Sequence, residues 1–230
     1  MQQTALNLIA IGVFLMTMTS LLGGIWHLSP FVPAGITAAI MAIASVDTFQ
    51  LQGRGAMLFL DLFTPEEERK RVIQHEAGHF LAGYLLGIPI TGYSLTPWEA
   101  IKNSQGGLGG VTFDLEAVEE SLVRSQQINL VVERISTTLM AGIAAERFVY
   151  DKDKGGFEDR RQLKQMLVKA GLPSMVYEQK EKWATLQATN LLERNQASYE
   201  NLVKAMADRK SLEECYEIIS ETSSELEAIA

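Results

Sequence analysis

Two histidines four residues apart, with a glutamate beside the first, are the residues of this chain best suited to chemistry: His75-Glu76-Ala77-Gly78-His79. On a helix, positions i and i+4 share a face, so both imidazoles can address one point. That suits the first two protein ligands of a zinc ion, with Glu76 placed to hold an attacking water. A catalytic zinc takes three protein ligands and keeps one position open. The only other histidine, His27, lies in an apolar stretch, so the third ligand is expected to be a carboxylate. Two acidic residues combine a core-like setting with a nearby turn. Glu146 ends the small apolar run Leu139-Met-Ala-Gly-Ile-Ala-Ala145, and Asp159 ends the charged, glycine-containing turn that begins at Asp151. An unpaired carboxylate after such an apolar run would be costly, so Glu146 is expected to have a cationic or metal-site partner.

The elements that must position these residues are legible in outline. Thr64-Pro65-Glu66-Glu67 offers a hydroxyl N-cap, a proline at the first helical position and a glutamate three residues after the cap. The predicted helix runs from about Pro65 to Leu86 and stops at Gly87, with Pro89 behind it. Ile73, Ala77, Phe80, Leu81 and Tyr84 form its apolar stripe, so the motif sits inside an amphipathic helix. Ile90–Thr96 and Gly107–Phe113 read as two short strands, the second weakened by glycine. Such a hairpin offers an edge for an extended peptide, and Tyr93, Ser94, Leu95 and Thr96 are the candidate substrate-binding residues. Helices are expected over Ser121–Tyr150, from near Phe157 to Gly171, and from Met175 to about Asp208. Ser211 with Glu214 forms a capping box for a last helix. The acidic tail from Ser220 is expected to fray.

The chain has 230 residues and a net charge of −8, which disfavours nucleic acid as a partner. With one cysteine, Cys215, neither an internal disulfide nor a Cys-based zinc site can form. The first 46 residues contain no Asp, Glu, Lys or Arg. Ala5–Trp26 is long enough to span a hydrocarbon core of about 30 Å, and Phe31–Val46 is a second, shorter apolar run after the His27–Pro30 turn. The expected organisation is a membrane helical hairpin over 1–47, a linker over 48–63 with an apolar patch at Ala56–Phe63, a single domain over 64–219, and a flexible tail over 220–230. Arg54, Lys70 and Arg71 follow the second run, so the large domain is expected on the cytoplasmic side or its organellar equivalent.

Several of these features occur together and in order. The capped helix with HEAGH, the Tyr93-Ser-Leu-Thr-Pro97 and Gly107-Leu-Gly-Gly110 strands, the Ala141-Gly142-x-Ala-Ala-Glu146 run and the Gly155-Gly-Phe-Glu-Asp159 turn resemble the peptidase domain of FtsH-type membrane-anchored zinc proteases. The resemblance covers roughly Thr64 to Ile219. It implies Asp159 as third zinc ligand, with Glu146 behind the ligands as an orienting group or alternative ligand. It implies a mainly α zinc-peptidase domain with a small β-hairpin, preceded by the membrane hairpin.

The departures are specific. Ile143 stands where the family carries an arginine, Phe157-Glu158 replaces a smaller, more polar pair, and no Walker-type loop occurs in the chain. The chain looks like a short FtsH-like relative without the ATPase module, of the kind associated with cyanobacteria and plastids. The expected function is zinc-dependent endopeptidase action on membrane or unfolded proteins. Glu76 serves as general base, and His75, His79 and Asp159 hold Zn2+. The alternative is a catalytically silent FtsH-like membrane protein acting in assembly or regulation of protease complexes. Expected partners are a protein or peptide substrate, membrane lipid, and either further copies of the chain or ATPase-bearing relatives. The expected location is the thylakoid or plasma membrane, with the peptidase domain on the stromal or cytoplasmic side.

Overall fold

The computed structural model describes residues 2–23, 31–49, 63–103, 109–114 and 128–229, and single residues at 29, 55, 58 and 61. The fold is mainly helical with one two-stranded antiparallel sheet. The chain divides into two compact units, Met1–Phe63 and Thr64–Ala230. Most of the predicted linker and its apolar patch, residues 24–28 and 30, Gly107 and Leu108 of the second strand, and the stretch from Ser121 to Gln127 lie outside the described residues.

The first unit is a pair of packed helices, α1 (Gln2–Gly23) and α2 (Phe31–Phe49). Gly12 marks a close approach, since a Cβ there would come within 3.0 Å of the Met41 sulfur. Ile11, Val13, Phe14, Ile36, Ile40 and Ile43 remain exposed. Among the described residues, no helix is long and apolar enough to cross a membrane. The membrane hairpin expected over 1–47 thus has the two helices of a hairpin, without a described span.

The second unit is built on the crossing of α3 (Glu66–Leu85) with α5 (Ile128–Tyr150). Glu66, Glu67 and Glu68 in the first turn of α3 complement the positive end of its dipole. The helix starts one residue later than the capping box predicts, with Pro65 at the N-cap and no side-chain cap bond. Proline fixes φ there but has no side-chain acceptor, so the charged first turn replaces the expected hydroxyl cap. The C-terminus follows the prediction. Gly87 adopts φ +67°, its N–H donates to Tyr84 O at 3.2 Å, and Ile88 N–H donates to Gly83 O at 2.8 Å, a Schellman closure. Buried Ile88 then turns the chain into β1 (Ile90–Ser94).

β1 leads into a short helix absent from the prediction, α4 (Pro97–Lys102), capped by Thr96 Oγ1, which accepts from Glu99 N at 3.1 Å. β2 (Gly110–Phe113) pairs with β1 in the register Tyr93 with Val111 and Ser94 with Gly110. After α5 come α6 (Phe157–Lys169), a 3-10 turn at Ser174–Val176, α7 (Tyr177–Arg194), α8 (Gln196–Ala207) and α9 (Leu212–Ile229). The single helix expected over Met175–Asp208 is thus broken at Asn195, whose side-chain Nδ2 donates to Leu191 O at 2.8 Å. That bond offers the backbone an alternative to continuing the helix. The Ser211–Glu214 capping box forms as predicted, with Glu214 N donating to Ser211 Oγ at 3.2 Å and Ser211 N to Glu214 Oε2 at 2.8 Å. The last helix runs through Ile229, into residues expected to fray.

Two contiguous cores flank α5. Phe80, Leu81, Ala141, Ala145, Leu192, Tyr199 and Leu202 belong to one. Val132, Ile135, Met140, Ile143, Leu163 and Leu167 belong to the other. The small residues of α5 let α3 settle on it: a Cβ at Gly78 would lie 2.6 Å from Ala141 O. This close crossing sets the geometry of the site.

Candidate metal centre

α3 presents His75 and His79 toward α5, and the turn after α5 returns the chain so that Asp159, in the first turn of α6, meets them. His75 Nε2 lies 3.1 Å from His79 Nε2 and 3.1 Å from Asp159 Oδ2, and His79 Nε2 lies 3.5 Å from Asp159 Oδ1. One ligand atom from each residue falls within 4.8 Å of the others, a group that can hold a metal ion.

The hydrogen bonds behind the rings decide what these atoms are. His79 Nδ1 is 2.8 Å from the Thr138 carbonyl, which can only accept, so Nδ1 carries the proton and donates. His75 Nδ1 likewise donates to Glu146 Oε1 at 2.8 Å. Both rings therefore turn Nε2 to the same point as the Asp159 carboxylate, and each Nε2 offers a lone pair there when its ring is neutral. Lone pairs converging this closely repel one another unless a cation lies among them. The residues fit a divalent metal ion.

Electrostatics point the same way. Burial opposes the charged form of His75, but hydrogen bonds to Asp159 and Glu146 prevail and push its pKa up to about 10. Burial also opposes protonation of His79, and the Asp159 charge outweighs it and raises the pKa. Asp159 is held well below the usual carboxylate range, since the effect of burial is overcome by His79 and His75. Glu146 comes down to about 2 against its burial, through bonds from His75, the Lys154 N–H and Arg71. The site attracts positive charge.

Glu146 is therefore behind the ligands and not among them. Its Oε1 faces His75, while Oε2 accepts from Arg71 Nη1 and Lys154 N, both at 2.8 Å. Glu76 lines the same cleft as the three ligands, and its Oε2 accepts from Val111 N at 2.9 Å. The cleft holds about 860 Å³ and is walled by Val72, Val111, Phe113 and Leu139 on its apolar side.

The predicted substrate residues lie elsewhere. Tyr93, Ser94, Leu95 and Thr96 do not line this cleft; Gly109, Gly110, Val111 and Phe113 do. The Tyr93 hydroxyl donates to Lys210 O, Ser94 is buried, Leu95 N donates to Glu99 Oε2 at 2.7 Å, and Thr96 caps α4. Sequence shows that two strands form an edge but not which of them faces the site. β2 does, because Glu76 binds its backbone.

One further residue shapes the centre without carrying chemistry. A Cβ at Gly142 would fall 2.4 Å from both His75 Nε2 and His79 Nε2, so only glycine fits beneath the two rings. Its place in the small run of α5 was the only available signal. Comparison with known proteins finds no family model and no curated protein that matches this chain.

Proposed function

We propose that this chain is a zinc-dependent endopeptidase of the FtsH-like type, and that it acts at a membrane. The observation that carries the reading is the convergence of His75, His79 and Asp159 in an open cleft that also contains Glu76. His75, His79 and Asp159 would hold a zinc ion, which when bound would supply Lewis acidity and lower the pKa of a water toward about 7. Glu76 accepts the proton of the attacking water and delivers it to the leaving amine. Glu146 and the Thr138 carbonyl keep both rings in the tautomer that presents Nε2. The outer edge of β2, with Val111 and Phe113 on the cleft wall, lays an extended peptide across the site by strand addition. The chain's exposed apolar helices α1 and α2 support membrane association, and the proposed substrates are unfolded or loosely held proteins.

The test is Glu76→Gln in the full chain. Cleavage of an unfolded protein such as casein is expected to fall by at least about a hundredfold, the usual contribution of a positioned general base. Zinc content is expected to stay at the wild-type level. Undiminished cleavage by the variant would overturn the assignment, and so would wild-type protein that binds zinc yet cleaves no unfolded substrate.

A further inference from the structure

The metal-site reading, on which this inference rests, leaves one strongly held group without a role: Arg71. It lies one turn before His75 on α3, and its side chain is 14% exposed. Nη1 donates to Glu146 Oε2 at 2.8 Å and to the Lys152 carbonyl at 3.0 Å. Its Cζ sits 4.0 Å from the ring centroid of Tyr150, one turn beyond Glu146 on α5. Two i, i+4 pairs on crossing helices, Arg71 with His75 and Glu146 with Tyr150, thus interlock in one connected set.

We infer that Arg71 is a positioning residue for the metal centre, holding the Glu146 carboxylate in the one orientation that fixes His75 as an Nε2 ligand. The two carboxylate oxygens are divided between two tasks. Oε2 takes Arg71, the Lys154 N–H and, at 3.4 Å, the Gly155 N–H, all on the side away from the cation point. Oε1 faces His75 Nδ1 at 2.8 Å. The carboxylate is 2% exposed, so it needs a compensating charge that stays in place. A guanidinium answers that need because it is planar, permanently charged and able to stack. Here the Tyr150 ring holds it on one face, and the Lys152 carbonyl holds an edge. Gly155 lets the turn come this close to the carboxylate, since a Cβ there would be 2.6 Å from Oε1.

A residue that only ties α3 to the following turn would affect folding stability and nothing else. A residue that orients a ligand changes the affinity of the folded protein for its metal, and outer-layer partners of this kind are worth about 10–100-fold. The two roles separate in a chelator-competition titration of zinc on the full chain, with the melting temperature of the chelator-treated protein measured alongside. Arg71→Gln is expected to weaken zinc binding about 10–100-fold. Arg71→Lys is expected to recover part of the loss through its charge, and Tyr150→Leu to show a smaller loss. If Arg71→Gln melts earlier but binds zinc like wild type, Arg71 is a fastener of the fold and the inference fails. Should Arg71→Gln not fold, wild-type affinity in both Arg71→Lys and Tyr150→Leu overturns it equally. If instead His75→Ala leaves wild-type zinc affinity unchanged, the metal-site reading itself falls, and this inference falls with it.

Discussion

At Gly142 the site tolerates no additional atom. The ring nitrogens of His75 and His79 lie 2.4 Å from where its Cβ would be, well inside van der Waals contact. Gly142→Ala is therefore expected to push the two rings apart and destabilise the fold by about 1–3 kcal/mol, the usual range for overpacking. Zinc stoichiometry by atomic emission should drop while the far-ultraviolet circular dichroism stays helical. The residues that offer lone pairs were legible in the sequence because their types and spacing have few other uses. Residue spacing narrowed the third ligand to Glu146 or Asp159, the family resemblance pointed to Asp159, and the structure brings Asp159 to the two rings. Gly142 was not legible in that way, since a missing side chain leaves no chemical signature. Arg71 was hidden differently: in the sequence it is one more charge before the motif, counted only among the basic residues that follow the second apolar run.

Among the elements, the decisive one is the turn between α5 and α6 that brings Asp159 to the histidines. Asp153 anchors it, accepting from Arg147 Nε at 2.7 Å and from Arg160 Nη2 at 2.9 Å, while Arg160 Nε reaches Glu181 on α7 at 3.0 Å. Burial raises the Asp153 pKa somewhat, but the two arginines prevail and hold it below the usual value. A carboxyl with a lowered folded-state pKa contributes stability above its unfolded pKa, near 3.9, and loses it as pH falls toward the folded value. Asp153→Asn should thus be less stable than wild type at pH 7 by roughly 1 kcal/mol. That gap should shrink below about pH 4, as urea unfolding of both proteins across that range would show. A gap independent of pH would mean that Asp153 acts by shape and not by charge. Helices with strong punctuation, such as the one ending at Gly87, could be bounded from the sequence. The break at Asn195 could not, because apolar periodicity continues across it, and β1 and β2 could not be ordered relative to the cleft, because a short hairpin looks the same from either edge.

For the molecule as a whole, the question is where it resides. In α1 and α2, Thr17 Oγ1 donates to Val13 O at 2.8 Å and Ser45 Oγ donates to Met41 O at 2.7 Å. Phe14, Phe31 and Ile43 are exposed on these helices, although no described helix is long and apolar enough to cross a membrane. If it acts at a membrane as proposed, the chain expressed in cells is expected to stay in the membrane pellet after alkaline carbonate washing and to be released by detergent. Release by carbonate alone would rule out integral anchoring.

The sequence distance between His79 and Asp159 gives the ion a second significance. Whatever cation binds there closes a long loop of chain, clasping α3 to α6 across the core. Binding to the folded form alone adds RT ln(1 + [L]/Kd) to stability, about 2.7 kcal/mol when free metal is a hundredfold above Kd. If the three residues hold a metal as proposed, the lifetime of the molecule would depend on the metal supply of its compartment. A chain deprived of that metal would then become a candidate for degradation itself.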